Sequence, residues 1–259
     1  PVNPMHHNLH IDSITSFGID GLRGVAGITV TQFAAGTTVS PAALCAAQLA
    51  HGRIATRYGA GVASLRRGPS GGGWEALGQG GQVIARAPVV IIACALQSLA
   101  LVPGLRLEAV RGQVTLLPPH PARQLKVPVA GESHAIPLPD GRLLIGATFQ
   151  PLDMEAALRD EDHLANLEHI ETLLPGLCAN VAARGLPGRV GFRTVTPDRL
   201  PVYGPVADAP GLYLATGLGA RGIAWAPLGA ELLASQICQE PWPLAQSLAA
   251  EVSAARFRK

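Results

Sequence analysis

The chain has 259 residues, of which 48 % are hydrophobic and 15 % are charged. This composition excludes a disordered chain, which would need low hydrophobicity and high charge, and it permits a sizeable buried core. The formal net charge of +2 does not indicate a strongly electrostatic nucleic-acid binder. Glycine (30 residues) and proline (22 residues) are frequent but have no period, which excludes collagen and indicates a loop-rich mixed fold.

Residues 1–35 show neither a helical nor an alternating apolar period, so we expect a loosely docked end. His6, His7 and His10 lie there without further ligands at a suitable spacing, and no metal site is expected. The four cysteines form no C-x-x-C pair, which favours free thiols over a disulfide framework. No apolar run approaches the roughly 20 residues of a membrane helix, and no targeting peptide is recognisable. The expected location is the cytoplasm.

The first clear element is a short helix that begins at Pro41, after Ser40, and ends before Gly52. Strand-like pieces at 61–65, 74–77 and 82–85, separated by glycine clusters, predict a small antiparallel meander. The β-branched run at 87–95 predicts a strand that is covered on both faces.

Residues 105–118 alternate and predict a long, half-exposed strand. The segments 134–139 and 142–149 flank Asp140-Gly141, a strong hairpin signal. Residues 154–174 predict a helix whose apolar stripe consists of Leu158, Leu164, Leu167, Ile170 and Leu174. Strands are predicted at 188–196 and 211–217, and a last helix at about 227–238.

The elements together predict a mixed α/β or α+β fold, in which an antiparallel sheet is inserted between buried strands and helices. We expect three regions: a partial cofactor-binding region with the meander (1–104), a substrate-binding antiparallel sheet plus helix (105–189), and a C-terminal cofactor-binding region (190–259).

The candidate site begins with a glycine-rich turn between a buried strand and a helix, at Gly217, Gly219 and Gly222. Such a turn allows a planar ligand to approach the backbone, and a helix N-terminus offers N–H groups and a positive dipole. Arg221 adds a positive charge. A tight turn with a solvated arginine explains the local pattern equally well.

Arg193 is the second candidate, on a strand five residues before Asp198 of the turn Thr196-Pro197-Asp198. An arginine on a strand can hold a carboxylate with two parallel hydrogen bonds. A surface arginine without a ligand is the alternative interpretation.

The order of TPDRLPVYG (196–204) and GLYLATGLGARGIAWAPLGAELLASQI (211–237) resembles the C-terminal part of flavoenzymes of the D-amino-acid oxidase and glycine oxidase family. AAGTTVSPAALCAAQLA (34–50), QVIARAPVVIIACA (82–95) and VRGQV (110–114) agree with this resemblance. Within the family, the similarity is greatest to the oxidoreductase domain of bifunctional enzymes that modify the tRNA wobble uridine, and it covers roughly residues 36–259.

The resemblance implies FAD as the cofactor, a Rossmann-like layer, and oxidation of the secondary amine of carboxymethylaminomethyl-uridine to aminomethyl-uridine and glyoxylate. It implies that the flavin pyrimidine ring lies along Gly217, Leu218, Gly219, Ala220, Arg221, Gly222 and Ile223. Arg193 and Arg221 are the candidates for holding the substrate carboxylate or phosphate. Neither a general base nor a metal is implied. The implied partners are tRNA, or else a small amine, and a methyltransferase domain.

The sequence departs from the family pattern at its start, because no strand, G-x-G-x-x-G turn and helix for the FAD pyrophosphate is recognisable. GAGVAS (59–64) is a superficial match that precedes a strand. We therefore expect a Rossmann-like layer that lacks its first βαβ unit, an N-terminally truncated chain, and weak or absent FAD binding by this chain alone. Cys94 and Ala95 occupy a region where the family usually has glycine, and covalent flavin attachment is not expected because 191–198 holds no cysteine.

Two alternatives to the tRNA-modifying oxidoreductase stay open. One is a small-molecule amine or amino-acid oxidase of the glycine or sarcosine oxidase type. The other is an inactive, cofactor-free fragment. A tRNA enzyme needs a basic surface, for which the sequence offers Arg66, Arg67, Arg256, Arg258 and Lys259.

Overall fold

A computed structural model describes residues 38–123 and 125–257. Its helices are α1 (Pro41–Leu49), α2 (Ser98–Leu101), α3 (Asp160–Leu173), α4 (Gly222–Cys238) and α5 (Gln246–Glu251). Its strands are β1 (Ser64–Arg67), β2 (Trp74–Leu77), β3 (Val83–Ala87), β4 (Val90–Ile92), β5 (Glu108–Leu117), β6 (Val129–Ala130), β7 (His134–Pro137), β8 (Leu143–Gly146), β9 (Gln150–Pro151), β10 (Gly188–Val195), β11 (Val202–Pro205) and β12 (Leu212–Thr216).

The contacts divide the chain into two units. The inserted unit contains Gln113–Thr148 and Ala157–Arg189, and the main unit contains Pro41–Gly112, Phe149–Ala156 and Val190–Lys259. Strands β5 and β10, which are neighbours in one sheet, each contribute residues to both units.

The main unit contains the expected meander, in which β1, β2 and β3 pair antiparallel in chain order. The buried Glu75 of β2 lies opposite Arg66 and Arg86 and forms ion pairs of 2.7 Å and 2.6 Å with them. Hydrogen bonds from Arg86 and then Arg66 lower the pKa of Glu75. The three charges therefore hold the three strands in one register.

A second sheet of the main unit has the strand order β11-β12-β4, with β12 parallel to β4. Its core contains Ile92, Val202, Leu212 and Leu214. Parallel strands require a crossover connection rather than a hairpin, and here the connection includes the whole inserted unit. The expected α/β character is therefore present.

The inserted unit is antiparallel, with β5 next to β8, β8 next to β7, and β7 next to β6. The predicted hairpin at Asp140-Gly141 joins β7 to β8, and Gly141 has a φ of 81°, which favours glycine. Helix α3 packs on this sheet through a core that includes Leu117, Ile145 and Ile170.

Two strand predictions are corrected. The segment 105–118 was expected to be half exposed, but β5 is buried along almost its whole length because it lies inside the sheet, between β10 and β8. The run 87–95 forms only the three-residue strand β4, and Ile91 is 46 % exposed rather than covered on both faces.

Two helix predictions are also corrected. Helix α3 begins at Asp160 rather than at residue 154, and Leu158 and Leu164 of the expected stripe are exposed. Its buried face instead includes His163 and Asn166, since polar side chains of β5 lie opposite it. Helix α4 begins at Gly222 rather than near Pro227.

Residues 1–37, with the three clustered histidines, lie outside the described residues. In the part of the chain that is described, no helix is both long and apolar enough to cross a membrane. The same residues contain no group of three His, Cys, Asp or Glu side chains that could hold a metal ion.

Candidate functional site

The glycine-rich loop of the main unit connects β12 to α4. After Thr216 the chain passes through Gly217 and Leu218, makes a 3₁₀ turn at Gly219–Arg221 and enters α4 at Gly222. The first N–H groups of a helix have no carbonyl partner within it, so this end of the 17-residue helix carries donors and a partial positive charge. Arg221 and Ala220 are exposed at this end.

Two glycines of the loop have positive φ angles, 70° at Gly217 and 57° at Gly219. A Cβ at Gly217 would lie 3.1 Å from the Thr196 side chain, and a Cβ at Gly219 would lie 3.6 Å from Val195. Glycine is therefore required at 217 by both conformation and space. The loop wraps around the end of β10.

Arg193 lies on β10, two residues before Val195. Alternate residues of a strand lie on the same face, so Arg193 and Val195 share one face of β10. This is the face that Gly219 approaches. This places both parts of the expected site in the main unit.

The guanidinium of Arg193 lies directly above Gly112 of β5, where an added Cβ would overlap it. Its Cζ is 5.9 Å from the centroid of the Phe149 ring. Burial lowers the pKa of Arg193. The missing side chain at 112 thus provides the space in which this half-buried cation lies.

The turn after β10 is held by an ion pair. Arg256 Nε lies 2.7 Å from Asp198 Oδ2, and Arg256 Nη2 donates to the carbonyl of Leu200 at 2.9 Å. The Thr196 hydroxyl lies 2.8 Å from Asp198 Oδ1. The hydrogen bond from Arg256 lowers the pKa of Asp198 to about 2. This carboxylate orders the turn beside Gly217.

Three of the five cations expected to form a basic surface have partners within the chain. Arg66 pairs with Glu75, Arg67 stacks on Trp74 at 4.3 Å from the ring centroid, and Arg256 pairs with Asp198. Arg258 and Lys259 lie outside the described residues. The basic surface for RNA therefore stays a prediction.

The loop has the chemistry that the electron-rich end of a flavin requires, because it combines glycine backbone with the N-terminal N–H donors of α4. Nearby, Ala95 follows β4 with a φ of 50°, a conformation that favours glycine, and its carbonyl accepts a hydrogen bond from Thr216 at 3.0 Å. Within the described residues no strand, G-x-G-x-x-G turn and helix is present. GAGVAS (59–64) leads into β1.

Sequence reasoning missed Phe149, Gly112 and Arg111 as parts of this region. A glycine inside a strand indicates a close approach by another group, and Gly112 within β5 was such a signal. Phe149 carries no comparable signal, because an apolar residue at the end of the predicted strand 142–149 is explained by the strand itself.

A family model for FAD-dependent oxidoreductases matches residues 23–236, which is most of the chain. This chain belongs to the family of FAD-dependent oxidoreductases. The predicted flavoenzyme resemblance and mixed fold with a Rossmann-like layer are confirmed, and so is the prediction of FAD as the cofactor of this family.

Comparison with curated relatives narrows the similarity to one kind of protein within this family. The chain is 43 % identical to the tRNA 5-methylaminomethyl-2-thiouridine biosynthesis bifunctional protein MnmC of Burkholderia lata, over 95 % of this chain and 42 % of that protein. It is 44 % identical to the protein of the same name from Burkholderia pseudomallei, over 87 % of this chain and 38 % of that protein. The chain therefore spans about two fifths of the length of these relatives.

Solved structures agree on the fold. Glycine oxidase from Geobacillus kaustophilus matches 73 % of this chain and 50 % of its own, with a TM-score of 0.61 and 23 % identity. Iminodiacetate oxidase from Chelativorans sp. BNC1 matches 73 % of this chain and 51 % of its own, with a TM-score of 0.55 and 26 % identity.

Proposed function

We propose that this chain carries the FAD-dependent oxidase activity of a bifunctional tRNA-modifying enzyme. Its substrate is the secondary amine of carboxymethylaminomethyl-uridine at the wobble position, and its products are aminomethyl-uridine and glyoxylate. The observation that carries the proposal is the identity of 43 % to the B. lata protein over 95 % of the chain. It is supported by the position of Arg193 on β10, near the end of the strand that the glycine loop approaches.

In this proposal Arg193 binds the substrate carboxylate. A guanidinium fork matches the two oxygens of a carboxylate, and partial burial strengthens the attraction because less water screens it. Gly219 lies close to Val195, on the same face of β10 as Arg193. A carboxylate bound to Arg193 therefore brings the carboxymethyl carbon, which is bonded to the amine nitrogen, to the glycine loop. Arg221, exposed at the start of α4, is the second cation for the carboxylate or a phosphate.

When bound, FAD would supply the two-electron acceptor for the hydride that leaves the carboxymethyl carbon. The amine loses its proton, a double bond forms between the nitrogen and that carbon, and water adds to this bond to release glyoxylate and the primary amine. Residues Gly217–Ile223 would hold the pyrimidine end through backbone N–H groups and the helix dipole, which favour negative charge there.

The same proposal assigns cofactor binding and substrate binding to different regions of the chain. Residues 1–104 and 190–259 serve the cofactor, and residues 105–189 serve the substrate. We further propose that the pyrophosphate-binding turn and the methyltransferase activity lie in sequence outside these 259 residues, since the relatives are more than twice as long. The tRNA substrate places the reaction in the cytoplasm.

A small-molecule oxidase is the second candidate. The observation that favours it is the likeness to iminodiacetate oxidase, because iminodiacetate and the modified uridine share an N-carboxymethyl amine. The same arginine would bind the carboxylate in either substrate, so the two candidates differ in what is attached to the other side of the nitrogen.

The test supplies the protein with FAD and compares an anticodon stem-loop carrying carboxymethylaminomethyl-uridine with glycine, sarcosine and iminodiacetate. We expect glyoxylate and aminomethyl-uridine from the RNA, with a higher kcat/KM than for any small amine. Oxidation of the small amines alone would establish the second candidate. A protein whose Tm does not rise with FAD and that oxidises none of these substrates would be a cofactor-free fragment.

A further inference from the structure

Phe149 is an exposed aromatic side chain beside the proposed carboxylate-binding arginine. Phe149 is 54 % exposed, and the centroid of its ring lies 5.9 Å from Arg193 Cζ. The ring is not a member of any of the three described core clusters. Phe149 therefore presents apolar ring surface to solvent next to Arg193.

The backbone around Phe149 is firmly held. Strand β9 begins at the next residue and pairs with β5, with Gln150 opposite Arg111. The buried side chain of Arg111 donates to Gln150 Oε1 at 2.6 Å and to the carbonyl of Glu155 at 2.7 Å. A fully buried cation (0 % exposed) thus fixes the segment that presents the ring, and the ring is held on an ordered strand end.

We propose that Phe149 is the stacking surface for the uracil base of the substrate and selects nucleosides over small amines. This inference rests on the proposed function. The arm from the base to the carboxylate carbon has four single bonds of about 1.5 Å each and spans on the order of 5 Å. The guanidinium lies over one face of the ring, 5.9 Å from its centroid, so the base stacks on the part of the ring that the guanidinium leaves exposed. The arm plus a carboxylate–guanidinium contact of about 3 Å exceeds 5.9 Å, so the carboxylate of a base stacked there can reach Arg193.

Stacking on an aromatic side chain suits a nucleobase, because every base has a π-face and the contact needs no hydrogen-bond pattern. A small amine such as sarcosine has no ring and would use the guanidinium alone. Removal of the Phe149 ring therefore separates the two substrate classes, whereas a change at Arg193 affects both.

The experiment compares the unsubstituted, FAD-supplied protein with Phe149→Ala and Phe149→Trp. We expect Phe149→Ala to raise the KM for the modified stem-loop, and its Kd measured by fluorescence anisotropy, about 5- to 100-fold. The kcat/KM for sarcosine stays within about twofold. Phe149→Trp restores RNA binding. Leu152→Ala is the matched control, since Leu152 is 72 % exposed in the same segment, and it leaves RNA binding unchanged.

The outcomes separate this inference from the proposed function. The Kd comparison does not require bound FAD. If the unsubstituted protein binds FAD but does not oxidise the modified RNA, the proposed function is wrong and this inference falls with it. If it does, but Phe149→Ala loses RNA and sarcosine turnover by the same factor, or keeps full RNA affinity, only the stacking role is wrong.

Discussion

The two units use buried polar side chains differently. In the inserted unit, Asn166 donates through Nδ2 to the carbonyl of Gln113 at 2.9 Å and to the Thr115 hydroxyl at 3.0 Å. The same hydroxyl lies 2.8 Å from His163 Nδ1, and burial lowers the pKa of that imidazole. These polar groups bond to one another across α3 and β5.

In the main unit, two polar contacts near the candidate site instead support groups at the surface. The buried Arg111 fixes the segment that presents Phe149, and the partly exposed Asp198–Arg256 pair orders the turn beside Gly217. A hydrogen-bond network can therefore either join two elements, as it does around Asn166, or hold a surface in place for a ligand. Substitutions in the two units are therefore expected to separate stability from activity.

The largest expected effect is at Arg193. If it binds the substrate carboxylate, Arg193→Ala lowers kcat/KM for any N-carboxymethyl amine roughly 100-fold, because a charge-assisted pair contributes up to about 3 kcal/mol. The free energy of unfolding changes by less than about 1 kcal/mol. Steady-state kinetics of the FAD-supplied protein and urea unfolding measure the two quantities. Arg189→Ala, an exposed position on the same strand, is the control, and an equal loss there contradicts the assignment.

The opposite behaviour is expected at Asn166 in the inserted unit. Asn166→Ala removes two hydrogen bonds between α3 and β5 and leaves a small cavity in place of a fully buried side chain, which costs about 2 kcal/mol of unfolding free energy. Urea unfolding should show this loss, while kcat/KM for the substrate changes less than about twofold. Glu168→Ala on the exposed face of α3 should leave both unchanged. A large loss of activity with unchanged stability in Asn166→Ala would remove the contrast between the units.

The sequence predicted most elements because their signals are local. Asp140-Gly141 has the φ angle that its hairpin needs, and β2 lies where the alternating segment 74–77 placed it. The apolar pattern predicted only part of the buried face of α3, because Leu167 and Ile170 are buried as expected but Leu164 is exposed. Asn166 and His163 are buried only because Gln113 and Thr115 lie opposite them, and a contact between residues about 50 positions apart has no local signal.

The local geometry of the candidate site was also predictable from the sequence, whereas its long-range contacts were not. Gly217 and Gly219 have positive φ angles, which glycine at these positions indicates. Arg193 was recognisable as a cation on a predicted strand. The position of Phe149 beside Arg193 depends on how β9 pairs with β5, which no local pattern contains.

The smallest expected effect concerns the turn that supports the site. Arg256 holds the pKa of Asp198 at about 2, below the value of about 3.9 of an unfolded aspartate. The pair therefore stabilises the folded protein fully above about pH 4, and this contribution is lost as the pH falls through about 2. Because the Asp198 side chain is 37 % exposed and water screens the pair, Asp198→Asn should cost only about 1 kcal/mol at pH 7.

Urea unfolding from pH 7 down to pH 2 checks this expectation. The difference in unfolding free energy between the unsubstituted protein and Asp198→Asn should be constant above about pH 4 and should shrink toward pH 2. Asp140→Asn is the comparison variant, because Arg142 also lowers the pKa of Asp140, but both side chains of this ion pair are more than 40 % exposed. Water therefore screens the pair more strongly, and the pH-dependent difference should be smaller than for Asp198→Asn. If Asp198→Asn instead lowers stability equally at all pH values, the turn depends on the shape of the side chain and its hydrogen bonds to Thr196 and Leu200 rather than on its charge.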